Sequence, residues 1–362
     1  MIYVHVPFCG SFCTYCDFYS EIARSPEVRD RYVEDICAEA SRRQEEIRRT
    51  LAIRTLYFGG GTPSVLPLSC LERIVRAVDA GPCDEFTVEV NPEDIVEKGS
   101  GYVRSLQALG VNRISMGVQS LDDGMLGWMR RRHDAAGARQ AFRLLREAGM
   151  ENVSVDVIFG VAQMSDEMLA GTLEELLDWG PEHISAYQLS IEPDSALGQM
   201  HARGQYTPAS DEQCRRQYDL LCERLGAAGF HHYEISNWAR LGREALHNSA
   251  YWCRAAYVGL GPGAHSFDGV ATRSWNSMAL SGWTAESETL DAAAERTERI
   301  MLGLRTDRGI DASELTVGPS EHLSDATERL LQTGALQPLP GSRIRIPKSR
   351  WFVSDGIISE LI

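Results

Sequence analysis

Three cysteines, Cys9, Cys13 and Cys16, fall within eight positions, directly after the run "YVHV". Clustered thiolates at such spacing are ligands for soft or borderline metals. A structural zinc site takes four ligands, usually as two separated pairs. Here Asp17 and Phe18 stand where a fourth thiolate would follow, and the remaining six cysteines repeat no ligand spacing. Cys214 and Cys222 fall on a predicted helix, where they read as small buried hydrophobes. An iron–sulfur cubane held by three thiolates, with one iron left open, is the chemistry that suits the pattern best. Zinc and chance spacing are its alternatives until the surrounding elements are known.

Those elements follow a regular alternation. Apolar, β-rich runs occur at 2–8, 53–61, 85–92, 113–120, 152–160 and 183–192, separated by segments of helical period such as "RYVEDICAEASRRQEEIRR" and "AGARQAFRLLREAGM". Alternating strands and helices predict βα units on a parallel sheet. Six such units can curl into a partial barrel, whose chemistry gathers at the C-terminal ends of the strands. Unusual residues collect there: the cysteines after the first run, "GGGTP" (59–63) after the second, Glu89 and Asn91 after the third. Gln119 and Ser120 close the fourth, and Asp156 lies in the fifth before Gly160. Taken singly, a Gly-Gly-Gly-Thr-Pro turn or a buried, backbone-satisfied Asp explains each; together, at the same strand ends, they predict one shared site.

Composition bounds the function. A chain of 362 residues with 43% hydrophobic and 24% charged residues is that of a globular protein of one large domain or two. Its net charge of −15 argues against a nucleic-acid partner. No apolar run approaches the ~20 residues of a membrane span, and the apolar start carries His5 with no basic flank, unlike a signal peptide. Nine irregularly spaced cysteines predict reduced thiols and a cytoplasmic location.

The motifs carry a family resemblance. Cys-x3-Cys-x2-Cys with Tyr15 before the last cysteine resembles the signature of radical S-adenosylmethionine (SAM) proteins, and "GGGTP" resembles their glycine motif. The resemblance implies a 4Fe-4S cluster on Cys9, Cys13 and Cys16, its open iron chelated by SAM, whose reductive cleavage in that fold gives a 5′-deoxyadenosyl radical. "YVHVPFC", "YFGGGTPS", "VEVNPE", "SMGVQSLDD", "HYEISNWA" and "GPGAHSF" are similar to the group containing oxygen-independent coproporphyrinogen III oxidases and the HemW heme chaperones. Carried over by motif, Tyr3, Tyr15, Gly60, Gly61, Thr62, Glu89, Gln119, Arg131 and Asp156 are expected to line a SAM site. Arg131 also reads as one arginine of a solvated basic run, Arg130–Arg132.

Three features favour the chaperone branch. The oxidases carry a further cysteine where this chain has Phe18, and an N-terminal extension where this chain begins one residue before its first strand. "HNSAYW" (247–252) resembles the His-Asn-x-x-Tyr-Trp motif associated with heme in the chaperones. It implies heme at His247, Tyr251 and Trp252, with His231, His232, His265 and Cys253 as rival ligands and a hydrogen-bonded packing cluster as the plain alternative. The function expected is heme binding and transfer to an acceptor protein; the alternative is a radical SAM enzyme acting on a porphyrinogen or related tetrapyrrole. "GLGPGA" (259–264) reads as a tight turn near the cofactors rather than a dinucleotide loop. Residues 1–277 are expected to form the radical SAM core, 278–292 a linker, and 293–362 a small helical, winged-helix-like domain with a hairpin at "LQPLPGSRIRIP".

Overall fold

The computed structural model describes residues 1–22, 25–317 and 322–362. Six parallel strands form its frame: β1 (Ile2–Val6), β2 (Thr55–Gly60), β3 (Glu85–Val90), β4 (Arg113–Gln119), β5 (Val153–Phe159) and β6 (His183–Gln188). Each lies inside a run picked out by its apolar, β-branched residues. They pair in sequence order and in parallel, which needs a crossover between neighbours. The crossovers contain α1 (Pro26–Arg42), α2 (Gln44–Arg49), α3 (Leu68–Val78), α4 (Pro92–Ala108), α5 (Asp123–Trp128), α6 (Ala135–Glu147) and α7 (Asp166–Trp179). α3 shows why they pack: Cys70, Leu71, Ile74 and Val78 share one buried face. Side-chain caps at Asp134 and Ser165 open α6 and α7 by accepting from Gly137 N and Met168 N.

Beyond β6 the chain makes α8 (Ala196–Ala202) and α9 (Asp211–Ala227), then the hairpin β7 (His231–Glu234) and β8 (Asn237–Ala239), which extends the β6 edge antiparallel. A short helix, α10 (Leu246–Trp252), is the "HNSAYW" segment. β9 (Val258–Leu260) joins the other edge, parallel to β1, completing a nine-stranded sheet. The "GLGPGA" loop is held by Glu39, a buried carboxylate on α1 that accepts from Gly261 N, Asn276 Nδ2 and Trp283 Nε1, each at 2.9 Å. Its tight turn therefore fastens the sheet edge to α1; it does not border the cysteine cavity.

The expected linker is partly a strand. β10 (His265–Phe267), β11 (Thr272–Asn276) and β12 (Ala285–Thr289) form an antiparallel sheet, with β12 fully exposed. Its sequence "AESET" has no apolar face, so only backbone pairing holds it, and composition alone reads it as a connector. The chain ends in α11 (Ala292–Gly303), β13 (Ile310–Asp311), β14 (Thr316–Val317), β15 (His322–Leu323), α12 (Asp325–Gln332), β16 (Gln337–Leu339), β17 (Arg343–Arg345) and α13 (Ser354–Ser359). β16 and β17 are the hairpin expected at "LQPLPGSRIRIP", with β13 added at its edge. Fully buried Trp351 anchors the module.

Candidate metallocofactor site

The strands β1 and β2 run on past their regular pairing. Gly61 N donates to Val6 O at 2.8 Å, and Thr62 N to Phe8 O at 2.7 Å. Such closeness needs a bare Cα: a Cβ on Gly61 would stand 2.7 Å from Phe8 O. The zipper brings "GGGTP" beside the cysteine loop, where Thr62 Oγ1 lies 3.6 Å from Cys9 Sγ. The loop's far side is tied to the end of α5, Thr14 Oγ1 donating to Trp128 O and Thr14 N to Met129 O. All three thiols open into one cavity of about 510 Å³ at the C-terminal mouth of the barrel.

The donor set suits a cluster. Burial pushes the Cys9 thiol up and the Cys16 thiol up to about 11, so both stand protonated here and would yield those protons to a metal. Among the described residues no three His, Cys, Asp or Glu side chains converge tightly enough for a single ion. A cubane asks for less convergence, because each thiolate takes a different iron. Opposite the thiols stands a guanidinium without a carboxylate partner among the described residues. Arg131 Nη2 donates to Asn91 Oδ1 (2.6 Å) and Gly117 O (2.7 Å), Nη1 lies 3.4 Å from Cys13 Sγ, and Nε has no partner. Its neighbour Arg132 differs, being paired with Glu93 and Asp94. Arg131 is thus part of the cavity wall and the solvated basic face is Arg130, which is exposed.

Eight of the nine residues expected at the SAM site line this cavity: Tyr15, Gly60, Gly61, Thr62, Glu89, Gln119, Arg131 and Asp156. Glu89 accepts from Tyr57 Oη (2.7 Å) and Gly60 N (3.1 Å), and burial raises its carboxyl to about 7. Asp156 accepts from Ser115 Oγ at 3.3 Å, its carboxyl also raised by burial. Gln119 sits at φ +67°, a left-handed conformation that glutamine seldom adopts, beside a register shift between β4 and β5. Strain of that kind concentrates at ligand sites. Tyr3 is the exception. It is not in the wall: its hydroxyl bonds His5 Nδ1 (3.1 Å) and its ring packs on Tyr57.

Further residues complete the cavity wall. Arg113, buried at the start of β4, lines the cavity with Ser115 and Gly117. The signal was period two: positions 113, 115, 117 and 119 are Arg, Ser, Gly and Gln, a polar stripe on a strand whose other face is Ile, Met and Val. Tyr57, Ser185, Tyr187 and Asn248 also line the cavity, the last from α10.

The residues expected at heme do not share one surface. His247 is 1% exposed, with Nδ1 2.8 Å from Thr55 Oγ1 and Nε2 3.0 Å from Tyr251 Oη. Burial pushes the imidazole down to about 3, so it is neutral, and both ring nitrogens are engaged. An iron atom could reach it only if α10 moved. Trp252 and Cys253 instead open onto a second cavity, about 640 Å³, between α10 and the C-terminal module. Of the rivals, His231 lines that cleft but is bonded to Glu244 (3.1 Å) and Asp307 (2.7 Å). His232 is buried and stacked on Trp238; His265 is exposed on β10; Cys253 is exposed in the cleft.

The sequence profile of the Radical SAM superfamily matches residues 3–176, which hold the cysteines and most of the cavity wall. The heme chaperone HemW of Mycobacterium tuberculosis (strain H37Rv) is 32% identical over all of this chain and 94% of its own length. The heme chaperone HemW of Synechocystis is 33% identical over 86% of this chain and 79% of its own. The chain belongs to the HemW family of radical SAM proteins. Family membership implies the 4Fe-4S cluster and SAM, and the wall described above fits both. The coproporphyrinogen III oxidase (HemN) from Escherichia coli superposes with a TM-score of 0.78, covering 99% of this chain and 89% of that one. At 18% identity that likeness is one of fold, and it extends through the C-terminal module. Among the described residues no helix is long and apolar enough to cross a membrane.

Proposed function

We propose that this protein is a cytoplasmic heme chaperone, which binds heme, carries a SAM-liganded 4Fe-4S cluster and passes heme to an acceptor protein. The observation that carries the reading is the match, over the whole chain, to relatives named as heme chaperones. Cys9, Cys13 and Cys16 are the thiolates that would hold the cluster, and when bound it supplies single electrons. Arg131, with no carboxylate partner among the described residues, suits the carboxylate of SAM. Glu89 and Asp156 are acceptors for ammonium or ribose hydroxyl groups, and Gly60 and Gly61 keep the backbone accessible. Phe12 and Phe18, 52% and 65% exposed, form an apolar rim at the mouth.

Heme is assigned here to the cleft beyond α10. A volume of about 640 Å³ is of the size of cofactor pockets in general. Trp252 offers a ring for the macrocycle, and Arg308 and Arg343 stand at the same cleft for propionates. Two stopped mixtures test the function. Heme-loaded protein, mixed with an apo-hemoprotein, should deliver heme faster than it dissociates to a passive scavenger such as albumin. Equal rates would refute a chaperone. In parallel, the reconstituted protein with coproporphyrinogen III, SAM and reductant should give no vinyl product; turnover there would make it an oxidase.

A further inference from the structure

The histidine of the motif expected to hold heme iron points instead into the barrel. Glu85, the first residue of β3 and only 4% exposed, accepts from the first two backbone N–H groups of α10, Leu246 N at 2.7 Å and His247 N at 3.0 Å. This carboxylate fixes the helix across the barrel floor. From there His247 reaches β2 at two inward positions, 55 and 57, which share a face by the period of a strand. Its Nδ1 bonds Thr55 Oγ1, and its ring lies 5.1 Å from the ring of Tyr57.

Tyr57 carries the contact upward. Its hydroxyl donates to Glu89 Oε1, and Glu89 Oε2 accepts from Gly60 N in the glycine motif. The pair has no slack: a Cβ on Gly59 would lie 2.7 Å from the Tyr57 ring and 2.9 Å from Glu89 Oε1. Glu89 and Gly60 line the cysteine cavity, while His247 does not. Removing the imidazole would leave Thr55, 1% exposed, without its partner and the Tyr57 ring without its support.

We propose that His247 is a positioning residue for the SAM end of the barrel, setting Glu89 and Gly60 through Tyr57, rather than a ligand to heme iron. The proposal rests on the reading that the cysteine cavity takes SAM. It gives the "HNSAYW" helix a role at both cavities: Asn248 in the wall of one, Trp252 in the wall of the other, and His247 as the brace between.

The test measures SAM binding by equilibrium dialysis on anaerobically reconstituted protein, with iron content and the Soret band of added hemin read on the same samples. His247→Ala should weaken SAM about tenfold or more, with iron content and the heme spectrum unchanged. Tyr57→Phe should weaken SAM similarly, and the double variant should be no worse than Tyr57→Phe alone. His247→Gln, which keeps a donor and an acceptor, should recover much of the loss and guards against a variant that fails to fold. The SAM-induced change in the electron paramagnetic resonance signal of the reduced cluster should shrink in His247→Ala and return in His247→Gln. An unchanged SAM affinity with an altered Soret band would overturn the proposal and restore His247 as an iron ligand. Additive losses in the double variant would also overturn it, leaving His247 a purely structural residue. Absence of SAM binding in the wild-type chain would instead refute the underlying reading of the cavity.

Discussion

The two ends of this barrel hold similar side chains in opposite condition. At the C-terminal mouth, thiols, guanidinium groups and carboxylates face a cavity, and Arg131 Nε has no partner among the described residues. At the floor, Glu85, Thr55, His183 and His247 are buried and hydrogen-bonded, His247 to both Thr55 and Glu85, and His183 to Ser154 Oγ (2.8 Å) and Tyr233 Oη (2.7 Å). Residue type therefore does not separate a ligand site from a scaffold. Spent hydrogen-bonding capacity is what sets these floor groups apart, because a buried group leaves its partner only at a cost of about 1–3 kcal/mol.

The largest effect is expected at the mouth. Cys13→Ala should abolish cluster incorporation, with iron and sulfide after anaerobic reconstitution falling to background while the fold persists. Retained iron would break the contrast, since the mouth would then have another ligand. Next comes the floor: Glu85→Ala strips the first two N–H groups of α10 of their acceptor and removes one of the two carboxylates whose charge favours the buried Arg113 guanidinium. A loss of about 2–4 kcal/mol in denaturant unfolding is expected, from two buried N–H groups left without an acceptor. A loss below about 1 kcal/mol would mean that the floor is not the closed structure described.

A third prediction concerns a buried carboxylate outside the cysteine cavity whose capacity is not spent. Glu234, at the end of β7, is 1% exposed with neither carboxylate oxygen bonded among the described residues, and burial raises it from 4.5 to about 7. A carboxyl raised in the folded state binds more protons there than when unfolded between these values. Its contribution is thus complete below about 4.5 and lost as pH climbs through about 7. Stability of the cluster-free chain should fall over that window, with Glu89 acting in the same direction. Glu234→Gln should flatten part of the fall and add up to about 3 kcal/mol at pH 8; an unchanged pH profile would show that Glu234 is solvated. The smallest effect belongs to the rim. Phe18→Ala should change stability by less than about 0.5 kcal/mol, and a larger loss would show that the rim packs as core does.

Much of this was legible in the chain itself. The six strands, the cysteine loop, the glycine motif and most of the cavity wall sit where spacing and strand ends put them. Arg113 escaped because a charged residue opening a strand looks like a solvent terminus; only its place in an inward polar stripe gives it away. β12 escaped because backbone pairing leaves no mark on an exposed "AESET". Tyr3 and His247 were read for their chemistry, and burial has spent that chemistry on His5, Thr55 and Tyr251. No spacing rule records which hydroxyl a buried imidazole will meet, since those partners lie 192 residues apart in sequence for Thr55 and only four for Tyr251.

The measurement that bears most directly on the heme chaperone is a hemin titration of the reconstituted protein, followed at the Soret band, beside Trp252→Ala and Cys253→Ser variants with cluster content monitored. Saturation at a single heme per chain is predicted, weakened by Trp252→Ala and spectrally altered or weakened by Cys253→Ser, with iron–sulfur content unchanged in both. Absorbance that rises without saturating, or saturation indifferent to both substitutions, would contradict heme binding in the cleft beyond α10.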